Sequence, residues 1–134
     1  MTKEIINPEA LYASVDMGFS HAVKSTGKAT IHCSGQVAWD RDNNIVGAGD
    51  VGVQARQVLA NLKVVLETAG AQVSDVVRLR TYVVNHNPSL LEPIGEAIGE
   101  FYGDVKPAAN TLIGVQALAL PDFLIEIEAT AEIG

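Results

Sequence analysis

Phe123-Leu124-Ile125-Glu126-Ile127-Glu128-Ala129-Thr130-Ala131 repeats with a period of two near the end of the chain. Successive side chains of a strand point to opposite faces, so Ile125 and Ile127 go to one side while Glu126 and Glu128 go to the other. Two neighbouring carboxylates repel one another and resist desolvation, so their face must meet water, a partner chain or a pocket. The strand is otherwise built for burial, which makes its acidic face the first candidate site. Ala108-Ala109-Asn110-Thr111-Leu112-Ile113-Gly114-Val115 lies just upstream and reads as its companion strand.

Nearer the start of the chain, apolar residues alternate or cluster over residues 18–23 and 29–37, with Ser25-Thr26-Gly27-Lys28 between them as turn chemistry. This pattern predicts an antiparallel hairpin. Ala55, Val58, Leu59, Leu62, Val65, Leu66 and Ala69 recur at three- and four-residue steps, and Gly70 is a good stop, so one amphipathic helix should follow Gly47-Ala48-Gly49-Asp50. Val76–Val84 reads as a strand with Val77, Leu79, Thr81 and Val83 on one face and Val76, Arg78, Arg80 and Tyr82 on the other. A second helix should begin near Leu91 or Glu92, where Pro93 is tolerated in the first turn. It turns Leu91, Ile94, Ile98 and Phe101 inward and ends at Gly103.

Strands over 110–117 and 123–131 complete the order β-β-α-β-α-β-β. The expectation is a single domain over residues 1–134 of the α+β class, one mixed β-sheet with two helices on one face. The other face then lacks helical cover, and burial between subunits is the usual solution.

A chain of 134 residues can bury one core. No apolar run approaches the length needed to cross a bilayer, and the first residues lack the apolar centre of a signal peptide, so the expected location is cytoplasmic with no membrane partner. Nine Lys and Arg stand against sixteen Asp and Glu, a formal charge of −7. That balance argues against nucleic acid as a partner, because phosphate neutralisation needs clustered cations. Cys33 is the single cysteine, which excludes an internal disulfide and a thiolate metal site within one chain; it reads as a small buried hydrophobe.

Gly47-Ala48-Gly49-Asp50-Val51-Gly52 matches the dinucleotide fingerprint and opens a helix, but Ile45-Val46 is a poor preceding strand and Asp50 would sit beside a pyrophosphate. A flexible turn with Asp50 as helix cap accounts for it. Asp40, Asp42 and Asn44 imitate the opening of a calcium loop, with Ile45 at the glycine position and Val51 at the closing glutamate position. His21, His32 and His86 fall in different predicted elements, so no metal site is expected.

Several landmarks in order carry a resemblance to a known family. They are Ser34-Gly35-Gln36 after an apolar strand, the run from Gln54 to Leu62, Ala69-Gly70-Ala71, the strand from Asp75 to Val84, and the acidic closing strand. Together they resemble the Rid family, the reactive-intermediate imine deaminases also described as L-PSP endoribonuclease or translation-inhibitor proteins. The resemblance implies a chorismate-mutase-like homotrimer with sheets around a central axis, clefts between neighbouring chains, a small-molecule substrate and no cofactor. It makes Glu126 the catalytic residue that activates water, with Ser34 and Gly35 holding substrate and the glycine leaving room for a ligand beside the main chain. It places Phe19 on the first strand where members often carry tyrosine, Leu112 where some carry cysteine, and Gly95 near a position some fill with asparagine.

The departure is at Asn110. Deaminase members carry there an arginine thought to grip the substrate carboxylate by a bidentate pair, and an amide supplies neither the charge nor the planar fork. Arg78 and Arg80 share a strand face and offer a possible substitute guanidinium. The leading expectation is hydrolysis of a small imine or enamine to a carbonyl product and ammonia, without the carboxylate clamp. A non-catalytic ligand-binding or chaperone-like trimer is the alternative, and ribonuclease activity a third.

Overall fold

The computed structural model describes residues 1–134. Six strands and two helices run in the order β1 (Thr2–Ile6), β2 (Ala22–Thr26), β3 (Ala29–Gln36), α1 (Val51–Thr68), β4 (Val76–Val84), α2 (Leu91–Tyr102), β5 (Ala109–Val115) and β6 (Ile125–Ile133). A four-stranded mixed sheet has the order β3-β6-β4-β5, and β1 and β2 form a separate antiparallel ribbon. The class is α+β with both helices against the mixed sheet, as the patterning indicates. No helix is long and apolar enough to cross a membrane.

Three connections differ from the sequence reading. β2 starts at Ala22 and absorbs Ser25 and Thr26, so Gly27-Lys28 alone links it to β3. It pairs with β1, an element the sequence reading did not assign, while β3 pairs with β6. No 18–23/29–37 hairpin therefore forms, and Phe19 lies ahead of β2 rather than on a strand. The two closing strands are likewise not neighbours. β5 runs parallel to β4 on the sheet edge, and β6 inserts antiparallel between β3 and β4. Long-range pairing of this kind leaves no local signal, because strand period reports faces and not partners.

α1 forms where its spacing indicates. Asp50 caps it, the side chain accepting from the Val53 amide at 3.1 Å. Gly70 follows it at φ 83°, a left-handed conformation that glycine adopts without steric cost. Its inward face buries Ala55, Val58, Leu59, Leu62 and Leu66 against β3 and β6. Each full burial of a leucine contributes about 1.5–3 kcal/mol, so this stripe holds the helix to the sheet. Gly47 and Gly49 have φ of 86° and 73°, which accounts for the glycines of the dinucleotide-like stretch by backbone geometry.

α2 buries Ile94, Ala97, Ile98 and Tyr102, whereas Leu91 is 51% exposed, a correction to the expected inward face. The β4 faces also shift. Val76 joins Leu79, Thr81 and Val83 in the core because a bulge between Val76 and Arg78 breaks the alternation. On β6, Ile125, Ile127, Ala129 and Ala131 face the helices, and Glu126 and Glu128 face away.

Candidate functional site

Glu126 is set by two irregularities of neighbouring strands. β3 pairs Cys33 with Ala129 and Gln36 with Ile127, so Ser34 and Gly35 together oppose the single residue Glu128 in a β-bulge. The Glu126 side chain lies directly over Gly35. A Cβ added at Gly35 would fall 2.8 Å from both Cγ and Cδ of Glu126. The glycine therefore admits the carboxylate of its own chain, where the sequence reading reserved that space for a ligand. Ser34 is exposed beside it.

Across the sheet, Glu126 is registered with Tyr82 and Glu128 with Arg80. The Tyr82 hydroxyl donates to Glu128 Oε1 at 2.5 Å, and Arg80 Nη1 lies 3.8 Å from the same oxygen. Burial first, and then the Glu128 charge, raise the pKa of Glu126 above the usual carboxylate range. Tyr82 is raised chiefly by donating to Glu128. Glu126 is thus a half-buried carboxylate with its basicity displaced toward neutrality.

Phe19, Asn110 and Leu112 come together elsewhere. They line a cavity of about 1100 Å³ between α2, the segment before β2 and the start of β5, which Gly95 also lines. Two contacts hold that segment in place. The Ser20 amide donates to Ala108 O at 2.9 Å and its hydroxyl to Pro107 O at 2.6 Å. Phe19 packs edge-on against Tyr12 and His21, with ring centroids 6.4 and 5.8 Å away. Asn110 Oδ1 accepts from the buried Thr81 hydroxyl at 3.2 Å.

The sheet register separates these groups. Asn110 is paired with Leu79 and Leu112 with Thr81, so both lie on the helix side. Arg80 and Tyr82 share the opposite face with Glu126 and Glu128. Within one chain the six candidates therefore form two half-sites: Ser34, Gly35 and Glu126 on the uncovered face, and Phe19, Asn110 and Leu112 in the cavity. Arg78 and Arg80 point away from Asn110's face, so within one chain they bring no guanidinium beside Asn110.

Sequence reading missed Gln54, which is fully buried. Its Nε2 donates to Gly47 O at 3.1 Å and Asp122 O at 2.9 Å, and its Oε1 accepts from the Leu124 amide at 2.9 Å. It fixes the chain two residues ahead of Glu126. A polar residue among the inward positions of α1 was the available signal. The calcium-like stretch is closed on itself, since Asp40 Oδ1 accepts from the amides of Asp42 and Asn44 at 2.8 and 2.9 Å. No group of three or more His, Cys, Asp or Glu side chains is placed to hold a metal ion.

An α+β chain with an acidic strand on one face and a lined cavity on the other matches a known class. The family model for Endoribonuclease L-PSP matches residues 10–133. The chain belongs to this family, the Rid family. It is 36% identical over 114 residues to a RutC family protein of Pyrococcus horikoshii, covering 84% of this chain and 85% of that one. A RutC family protein of Pyrococcus abyssi is 33% identical over 132 residues, 98% of each. A crystal structure of a Rid family protein of unknown function from Yersinia pestis superposes with a TM-score of 0.96 at 58% identity, covering 99% of this chain and all of that one.

Proposed function

We propose that this protein hydrolyses a small reactive imine or enamine to a carbonyl compound and ammonia, in a cleft completed by a neighbouring copy of the chain. The carrying observation is the carboxylate of Glu126, partly desolvated on an uncovered sheet face beside the Ser34-Gly35 bulge. A protonated C=N carbon is already electrophilic, so the chemistry asks for one held water and one base. Glu126 takes a proton from the water as its oxygen bonds to that carbon. Glu126 returns that proton to the nitrogen of the resulting amino alcohol, the C–N bond breaks as ammonia leaves, and the hydroxyl proton passes to the ammonia, giving ammonium and the carbonyl compound.

The separation of the half-sites supports a cyclic assembly, and the family resemblance makes its number three. Opposite faces of one sheet cannot meet in one chain, but a cyclic assembly sets the Glu126 face of one copy against the cavity of the next. Ser34 and Gly35 then line the water's side, with Phe19, Asn110 and Leu112 enclosing the substrate's body.

Asn110 favours one second reading, a non-catalytic ligand-binding or chaperone-like trimer, because an amide lacks the charge of the arginine it replaces. The charge balance of −7 weighs against ribonuclease action. Ammonia release from freshly generated imines tests the proposal, using one α-imino acid and one imine without a carboxylate. Turnover of the uncharged imine that disappears in Glu126→Ala supports hydrolysis. No turnover of either by the wild type, with α-imino acid activity appearing in Asn110→Arg, assigns the protein to the binding reading instead.

A further inference from the structure

We propose that the cavity beside Asn110 selects ligands that end in an uncharged hydrogen-bond acceptor, such as an amide or ester carbonyl, over the corresponding carboxylates. This deepens the functional reading above, since it treats the cavity as one half of that site and names the class of compound it takes.

Thr81 is fully buried on the core face of β4. Its hydroxyl proton needs an acceptor, and the one it meets is Asn110 Oδ1 at 3.2 Å. The reversed amide would leave that proton without a partner. Thr81 thereby fixes which end of the Asn110 amide turns inward. The Nδ2 end makes no hydrogen bond within the protein and is not buried. Asn110 lines the cavity, so it offers the cavity a neutral donor oriented in advance.

The other charges around the cavity oppose an anion. Asp16, Glu92, Glu96 and Asp104 line it, against Lys106 as the single cation. Arg56 lies 3.9 Å from Glu96 and offsets part of that one charge. Ile94, Ile98 and Leu112 give the interior an apolar wall, and Phe19 adds a ring that lacks a hydroxyl. A carboxylate entering here would shed water for neutral donors only, Asn110 Nδ2 and the hydroxyls of the lining Tyr102 and Thr111, and meet a net negative surround. A carbonyl oxygen takes the same donors at far smaller desolvation cost, and its hydrocarbon body packs on the wall. A cation suits the rim but finds a donor where it needs an acceptor.

The test measures affinity in the assembled protein with three unreactive compounds of one shape: 3-methylbutanamide, 3-methylbutanoate and 3-methylbutan-1-amine. Titration followed by amide NMR shifts of cavity residues reads binding without turnover. The amide should bind about tenfold more tightly than the carboxylate, with the amine weaker than the amide. Asn110→Ala should remove that preference in a protein whose amide NMR spectrum stays folded, at a lower melting temperature because the buried Thr81 hydroxyl loses its acceptor. Asn110→Asp should invert it in favour of the amine. Thr81→Val should lose part of the preference and Thr81→Ser should restore it, as expected of a positioning residue. Carboxylate binding equal to or tighter than the amide, no binding of any of the three, or an amide preference that survives both Asn110 variants would overturn the proposal. Failure of imine turnover with this preference intact would instead count against the hydrolase reading.

Discussion

The Glu126 carboxylate rests on the bare Cα of Gly35, in space that any side chain there would occupy. The bulge that doubles Ser34 and Gly35 against Glu128 creates this seat, and the raised proton affinity of Glu126 follows from the burial it confers.

Gly35→Ala should accordingly act as a catalytic lesion. Its methyl group displaces the carboxylate, and overpacking at such a site costs about 1–3 kcal/mol. Imine turnover should fall at least about tenfold, from a shift of 1.4 kcal/mol or more in transition-state stabilisation. Paired turnover and denaturation measurements check this. Activity close to wild type would show that Glu126 does not need its seat.

Glu126→Gln should stabilise the fold while abolishing turnover. The folded pKa of Glu126 lies above its unfolded value, so the unfolded state binds fewer protons between the two, and stability contributed by this group falls as pH rises through that window. The gain from Gln should be near zero below the ordinary glutamate pKa and largest above the raised one. Thermal unfolding of both proteins at acid and at neutral pH reads the difference. A gain confined to acid pH has the wrong sign.

Glu128→Gln should shift the acid limb of the pH–rate profile downward. A base works deprotonated, so activity rises with pH through the pKa of Glu126, and removing the neighbouring negative charge lowers that pKa. Tyr82 and Arg80 both address Glu128, so neither variant of those residues substitutes for this one. An unmoved acid limb would assign the limb to another group.

Gln54→Leu should cost about 1–3 kcal/mol, because the Leu124 amide and the Asp122 carbonyl lose their side-chain partner, while Gly47 O keeps the Asp50 amide. Hydrogen exchange at Leu124 should quicken before that of the β4 core. Unchanged protection would mean that the turn ahead of Glu126 is held without Gln54.

What the sequence made legible was local. The stripe from Ala55 to Leu66, the Asp50 cap, the left-handed Gly70 and the alternation of Ile125, Glu126, Ile127 and Glu128 each depend on neighbours within a few residues. Strand partners depend on the whole chain. The β1–β2 ribbon, the insertion of β6 between β3 and β4 and the bulge at Ser34-Gly35 left no periodic mark. The same limit governed the site. Residue types indicated Glu126 and Asn110, but only the register of β4 with β5 and β6 placed them on opposite faces.

The proposed function joins these two faces in a site shared between copies, and subunit complementation tests it most directly. Glu126→Gln carries an intact cavity and Leu112→Trp an intact acidic face, so each assembly alone should be inactive. Dissociated, mixed in equal amounts and reassembled, they should recover about a quarter of wild-type turnover, the fraction of clefts in a random cyclic assembly that join two unaltered halves. Mixed assemblies, verified by native mass spectrometry, that remain as inactive as their parents would contradict a shared site.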